Sequence, residues 1–306
     1  MHICIITDNP SAYSAKRFLG EALFAGHKIT FAPWSEIVFN GGKNTISINQ
    51  KILLDSYDAI ILRSSVRSLT PLSLVVEYCK AKNIPLLNNQ LYMRLQNTNK
   101  LRQQILFQIE NIPCLETLYG ENLTFLELKK RLRLPFIAKI ADGSLGKQVF
   151  KIHSQEEFSQ FTLARKKDRR LYLFQKYYKI SRDYRVFIIG KEIFGAVQRI
   201  APQGEWRTNM RGAKHMRATG SLKITRLAKL IRKKLNIDFA GIDILIDTSG
   251  HARLIEINTM AQFKVFENTF PEINIAKKTF AVLANKKTAP HQPKRHILIG
   301  KSTSLV

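Results

Sequence analysis

The stretch that most constrains the fold lies near the C-terminal end. Ala240-Gly241-Ile242-Asp243-Ile244-Leu245-Ile246 and Leu254-Ile255-Glu256-Ile257-Asn258 are β-rich apolar runs on either side of Asp247-Thr248-Ser249-Gly250. Such runs around a short Asp/Ser/Gly turn predict a β-hairpin. Glu256 and Asn258 are two residues apart and share one face of their strand. With residues 247–250 as a four-residue loop, Asp243 falls opposite Leu254 and diagonal to Glu256, on that same face. Diagonal neighbours sit roughly 7–8 Å apart, a span that a divalent cation with oxygen ligands bridges. The inference hangs on register, because a loop one residue shorter puts Asp243 on the opposite face. A strand-edge acid and an asparagine turn cap account for the same residues without any cation.

The 306 residues are enough for two or three packed lobes. No apolar run approaches the ~20 residues needed to cross a bilayer, so no membrane partner is expected. The apolar start, Met1-His2-Ile3-Cys4-Ile5-Ile6, soon meets Asp8, Asn9 and Pro10 and reads as a first strand rather than a signal peptide. Cys4, Cys79 and Cys114 are odd in number and widely spaced, which fits a reducing, cytoplasmic setting better than a disulfide framework. With no HExxH and no CxxC, a zinc site is not expected. The net charge of +26 predicts attraction to polyanions: nucleic acid, an anionic membrane surface, nucleotides or an acidic polypeptide. A solvated basic surface with no dedicated partner explains it equally well.

Along the chain, strand signals over residues 2–7, 28–32, 59–63 and 85–88 alternate with helices near 14–25 and 71–82. This βαβ rhythm predicts a small parallel-sheet domain over residues 1–90, without the GxGxxG of a dinucleotide fold. A helical stretch follows over 91–110. Further helices are expected over 125–132 and 155–163, with strands over 136–140 and 148–152. Strands over 171–178, 184–189 and 192–199 come next, then a loop-like segment at 203–220. Ile224, Leu227, Ala228, Ile231 and Leu235 recur at helical spacing and predict an amphipathic helix over 223–235. A last helix is expected around 275–283. The remaining divisions are 91–173, 174–285 and a basic, weakly ordered tail over 286–306.

Several residues invite chemical roles, although each alone also fits a solvated residue or ordinary turn. Lys139 ends an apolar strand just before Asp142-Gly143-Ser144-Leu145-Gly146-Lys147. Glycine loops fold N–H groups over phosphates, and a lysine adds a point charge. The loop is not a Walker A motif, since Gln148 follows Lys147. Asp183 and Arg185 share one strand face, where they can pair with each other. Arg199, Arg207, Asn209 and Arg211 cluster shortly before the hairpin.

In order, these segments resemble the ATP-grasp superfamily, and within it the RimK-type α-L-glutamate ligases, from about Asn88 to Leu283. The resemblance implies an α/β fold: an ATP-grasp unit preceded by a small parallel-sheet pre-ATP-grasp domain. It implies that Lys100 and Lys139 contact ATP phosphates under a lid of residues 142–148 that includes Ser144. Lys176 and Tyr177 fall at the adenine hinge, Asp183 at the ribose, and Arg207, Thr208 and Asn209 beside the triphosphate. Asp243, Glu256 and Asn258 match the Mg²⁺ ligands, with Mn²⁺ as an alternative ion. Three departures stand out. The hinge reads Gln175-Lys176-Tyr177-Tyr178 where the family has Gln-Glu-Tyr-Ile. Gln148 replaces a lid glycine, and Thr259-Met260-Ala261-Gln262-Phe263 replaces Ser-Pro-Gly-Phe beside the acceptor site.

The implied reaction is ATP-dependent joining of a carboxylate to an amine through an acylphosphate, a chemistry of positioning and charge neutralisation. Arg199, Arg207 and Asn209 are the implied catalytic residues. The expected partners are an amino acid such as glutamate and an acidic peptide, protein or other polyanionic carboxylate acceptor; a homo-oligomer is common in the family. Two alternatives stay open: a nucleic-acid-binding protein on this scaffold, and a ligase of small-molecule substrates.

Overall fold

The computed structural model describes residues 1–63, 69–95, 99–141, 148–165, 170–180, 182–210, 212–218 and 221–288. The chain opens with β1 (His2–Ile6), α1 (Tyr13–Phe24) and β2 (Lys28–Ala32), followed by β3 (Ile37–Asn40), β4 (Thr45–Ile48) and β5 (Ile52–Leu53). Next come β6 (Ala59–Leu62) and α2 (Leu69–Ala81). β1 pairs in parallel with both β2 and β6. A central parallel strand is covered on both faces, which is why Ile3 to Ile6 is an unbroken buried run. Ile3, Ile5 and Ile61 meet Phe18 of α1, whereas Cys4, Ile6 and Ile60 meet Leu72 and Val75 of α2.

The middle of the chain holds α3 (Asn89–Leu95), α4 (Lys100–Ile109), β7 (Thr117–Leu118), α5 (Phe125–Leu132), β8 (Phe136–Ile140), β9 (Val149–Ile152), α6 (Gln155–Leu163) and β10 (Tyr172–Lys176). The strands form an antiparallel sheet in the order β7-β10-β8-β9. α5 begins in a Thr124/Glu127 capping box and turns Phe125, Leu128 and Leu132 inward. These side chains join Phe136, Phe158, Phe161 and Phe174 in one aromatic core on one face of the sheet. Edge-on ring contacts such as Phe136–Phe174, at 6.0 Å, are the favoured aromatic geometry.

The last third holds β11 (Arg182–Ile189), β12 (Glu192–Ile200), β13 (Lys214–Arg217), α7 (Leu222–Leu235), β14 (Phe239–Ile246), β15 (Ala252–Asn258), α8 (Lys264–Thr269) and α9 (Ile275–Thr288). Its antiparallel sheet runs β13-β12-β11-β14-β15. Val186, Ile188, Ile242, Ile244, Leu254 and Ile257 form its back face and pack on α7 and α4.

The structure departs from the sequence reading in several places. Residues 85–88 contribute only an isolated Ile60–Leu86 bridge, not a strand. The helix over 91–110 is two helices, α3 and α4. The segment 203–220 contains β13, whose four residues are all exposed, with Met216 its single apolar side chain, so it has no apolar alternation to read. The β3-β4-β5 sheet and α8 were not anticipated. α9 runs through Thr288, so Lys286 and Lys287 belong to a helix, where they pair with Asp238 (2.9 Å) and Asp58 (2.5 Å). Residues 166–169 and the tail from 289 lie outside the described residues.

Candidate active site

Between the four-stranded and five-stranded sheets lies a cleft of about 880 Å³. It is lined by Lys100, Lys139, Lys176, Tyr177, Asp183, Arg199, Arg207, Thr208, Asn209, Asp243, Glu256 and Asn258. Every site residue expected from the sequence is therefore brought to one place, except Ser144. Ser144, with the rest of the lid at 142–147, and Arg211 lie outside the described residues.

β8 sends Phe136 and Ala138 into the aromatic core, so Ile137 and Lys139 face the cleft. Lys139 is buried, and burial with Lys100 close by lowers its pKa to about 8, against the pull of Glu256. Lys100 is the first residue of α4, where Asn99 caps the helix by accepting from the Arg102 N–H. The Lys100 backbone N–H donates to the Ala141 carbonyl (2.8 Å), tying the helix start to the end of β8. The two lysines thus converge from different elements.

The floor of the cleft is a row of charges set by strand register. Asp183 pairs across with Arg199, Arg185 with Asp243, and Asp243 with Glu256. Arg199 donates to both oxygens of Asp183 (2.7 and 2.6 Å), and Arg185 to both of Asp243 (2.7 Å each). Arg199 also reaches Asp243 at 3.0 Å. Asp183 and Arg185 therefore do not pair with each other; directly opposed partners on the next strands are closer than a neighbour two residues along. Burial pushes the Asp243 carboxyl up, but Arg185 and Arg199 outweigh it and hold the pKa at about 2. Burial works against the charge of Arg199, and Asp243 and Asp183 more than offset it.

The hairpin differs from expectation in an instructive way. Asp247 accepts from the backbone N–H groups of Ser249 and His251 and from Arg253, closing a five-residue loop over 247–251. That longer loop alone would turn Asp243 away from Glu256. A β-bulge restores the parity: Ile244 pairs with Leu254 and Asp243 with Glu256, leaving Ile255 as the extra residue. Asp243 consequently lies directly opposite Glu256, not opposite Leu254. Gln103 and Gln104 of α4 hold this edge strand. Gln103 donates to the Ile257 carbonyl and accepts from its N–H, and Gln104 donates to the Ile255 carbonyl. Opposite Asn258 stands Gly241, where a Cβ would come within 2.7 Å of the Ala261 Cβ, so the loop after Asn258 folds back onto β14 only because a glycine is there.

Among the described residues no three His, Cys, Asp or Glu side chains form a metal cluster. A cation at this place needs the Asn258 amide and ligand oxygens beside Glu256 and Asp243. This donor set fits Mg²⁺, which keeps waters and substrate phosphates among its ligands. Arg185 and Arg199 take most of the lone pairs of Asp243; the Asn258 Oδ1 accepts from the Met260 N–H at 3.3 Å.

At the hinge, Lys176 replaces the family acid and pairs with Glu116 at 3.5 Å, which returns a negative charge from the residue just before β7. The Tyr177 ring meets Trp206 edge-on at 5.9 Å, with Lys151 Nζ 4.0 Å above Tyr177. Arg207 is paired with Glu205, whose pKa it lowers to about 2 through hydrogen bonding. Sequence reasoning missed Gln103, Gln104, Trp206 and His215, and underrated Arg185. Two adjacent glutamines beside the apolar run Ile105-Leu106-Phe107 were the available signal for the first pair. His215 faces Arg199 from an exposed edge strand and had none.

The fold is that of ATP-grasp ligases. ATP-grasp ligase PsnB, solved with a minimal precursor, superposes with a TM-score of 0.72 at 15% identity, over 93% of this chain and 98% of that one. D-alanine–D-alanine ligase from Bacillus anthracis does so with a TM-score of 0.65 at 13% identity, over 94% and 97%. The chain belongs to the RimK-like ATP-grasp family, whose model, described as a RimK-like ATP-grasp domain, matches residues 97–283. It is an ATP-grasp enzyme of the carbon–nitrogen ligase type. A probable alpha-L-glutamate ligase from Legionella pneumophila is 26% identical over 294 residues, 94% of this chain and 96% of the relative. N-acetylaspartylglutamate synthase A from Mus musculus is 26% identical over 277 residues, 86% and 72% respectively.

Proposed function

We propose that the enzyme uses Mg·ATP to join the carboxylate of an acidic peptide or protein to the amine of an amino acid such as glutamate. The observation that carries this reading is the meeting of Lys100 and Lys139 from one side with Asp243, Glu256 and Asn258 from the other in a single cleft. A carboxylate oxygen attacks the γ-phosphorus, the bond to the β–γ bridging oxygen breaks, and ADP leaves. The amine then displaces phosphate from the acylphosphate.

Each part of the chain has a task in this sequence. Lys100 and Lys139 offset phosphate charge at a place largely screened from water, where a fixed cation is worth most. Arg199 and Arg207 line the same cleft, and Arg199 is held rigid by two carboxylates, so it needs little reorganisation. Glu256 and Asn258, with Asp243, would hold Mg²⁺, which neutralises the β- and γ-oxygens when bound. The relatives named for glutamate ligation and a PsnB structure solved with a precursor peptide support an amino acid and a peptide as substrates. The net charge of +26 supports an acidic acceptor, steered to the cleft.

The test is a screen of amino acids against acidic peptide acceptors, read by phosphate release and product mass. A mass increment equal to one condensed amino acid, dependent on both Mg²⁺ and ATP, is the expected result. Phosphate release without any amide product would overturn the reading.

A further inference from the structure

The charged row on the cleft floor continues past Arg199. On β12 this residue has Asp183 as its cross-strand neighbour on one side and His215 of β13 on the other. His215 lines the cleft, the single histidine to do so among the described residues. β13 is the edge strand of the five-stranded sheet, so the His215 backbone lies one strand spacing, about 4.8 Å, from that of Arg199. Arg217, two residues on, anchors the strand by donating to the Thr269 carbonyl (3.1 Å) and to Glu272 (3.0 Å). Among the described residues the His215 ring has no hydrogen-bond partner.

Joining an amine to an acyl group needs a proton acceptor. An amino acid arrives as an ammonium ion and has no lone pair to attack with until a proton is removed. A base does this best when its pKa lies near the working pH. The carboxylates that line the cleft are engaged elsewhere. Asp183 gives both oxygens to Arg199. Burial raises the Asp243 pKa, but Arg185 and Arg199 bring it down to about 2, and Glu256 belongs to the proposed cation set. Lys139, at about 8, stands at the phosphate end, where anions favour its ammonium form. Tyr178 is pushed up by burial. His215 differs from all of these. Partial desolvation, then Arg199 and Arg185, lower its pKa below the ordinary 6.5, against the pull of Asp183. From α8, which packs on β13, Lys264 also lines the cleft, whereas Glu267 is engaged by Tyr13 and Arg17.

We propose that His215 is the base that takes the proton from the incoming amine. The step rests on the carboxylate–amine ligation proposed for this cleft. Arg199 stands between Asp243, at 3.0 Å, and His215 on the next strand. An acylphosphate held at Arg199 therefore has the cation end of the cleft on one side and the imidazole on the other. The amine is delivered from the β13 side, clear of the departing phosphate. One ring nitrogen of His215 accepts a proton from the ammonium, and the freed lone pair forms the bond to the acyl carbon. Phosphate leaves with the electrons of the C–O bond and carries away the second nitrogen proton. His215 is exposed, so the imidazolium returns its proton to water before the next turnover.

The experiment gives the full chain and its His215→Gln variant Mg·ATP and a polyglutamate peptide, with glutamate or hydroxylamine as the amine. Hydroxylamine is uncharged at neutral pH and needs no base. The variant is expected to form hydroxamate at close to the parent's rate and the glutamate amide about 100-fold more slowly at pH 7, the lower end of what a base contributes. The gap should narrow as the pH rises, because the amine then loses its proton unaided. Amide formation unchanged in the variant would overturn the proposal. So would an equal loss of both products, which would place His215 in folding or in carboxylate activation. A parent that forms neither product would overturn the ligase reading, and this step with it. A second measurement needs no substrate: NMR titration of the His215 ring in the full chain, assigned from the signal missing in the variant. A midpoint below 6.5 is expected, and a midpoint above it would overturn the proposal.

Discussion

The cleft face and the back face of the five-stranded sheet are built by the same strands and differ only in residue parity. On β11 and β14, Val186, Ile188, Ile242 and Ile244 go to the back, and Asp183, Arg185 and Asp243 to the cleft. The back face is an apolar layer under α7 and α4, where burial at about 25 cal/mol per Å² supplies stability. The cleft face buries Asp183, Asp243 and Arg199, with Arg185 partly buried beside them, in mutual ion pairs, an arrangement whose desolvation cost roughly cancels its attraction. One face therefore holds the molecule together and the other holds its charges in place. Variants on the two faces should separate these effects.

The largest separation is expected from Glu256→Gln on the cleft face. It should lower Mg-dependent ADP formation by about 10²–10³-fold, the scale for losing one preorganised electrostatic group, with Tm unchanged. Full turnover in both this variant and Asn258→Ala would remove the cation from this end of the cleft. On the back face Ile231→Ala should behave oppositely. Denaturant melts should show a loss of about 2–5 kcal/mol, with nucleotide affinity intact in the folded fraction.

Gln103→Leu probes the seam between the faces. It leaves the N–H and carbonyl of Ile257 without their partner, which should cost about 1–3 kcal/mol and also weaken Mg·ADP binding. A stability loss without any change in nucleotide binding would mean that the edge strand keeps its place unaided.

Lys139 predicts a pH effect. Its folded pKa of about 8 lies below the ordinary lysine value of 10.5. The unfolded chain thus binds more protons between the two values, and stability should rise with pH through that window. Phosphate affinity should move the other way, falling as the ammonium loses its proton above pH 8. Lys139→Arg should flatten that fall, because arginine stays charged. The smallest effect belongs to Lys176→Glu at the hinge. Its pair with Glu116 is half-exposed, so the change should be within about 1 kcal/mol, read as a modest shift in ATP affinity.

Elements with a strong period were legible in the sequence to within a residue or two. α7 shows its buried stripe at helical spacing, and the strands Phe136–Ile140 and Lys28–Ala32 have the bounds expected of them. Elements without a period were not: β13 is exposed throughout, and β5 is two residues long. The site residues were legible as an ordered set of motifs, and the structure gathers those it describes into one cleft. Their partners were not legible. Nothing in the local sequence says that Asp183 will take Arg199, or that Glu116 will answer Lys176, because these pairs are made across strands.

The hairpin shows where the division falls. Apolar alternation and the Asp-Thr-Ser-Gly turn determined by themselves that two strands would pair and that Glu256 and Asn258 would share a face. The place of Asp243 was decided only in three dimensions. The loop closed one residue longer because Asp247 bonds the His251 N–H, and the bulge at Ile255, held by Gln104, returned the parity. Periodicity is a property of each strand alone. Register depends on loop closure and on what packs against the edge, and those forces come from residues far away in the chain.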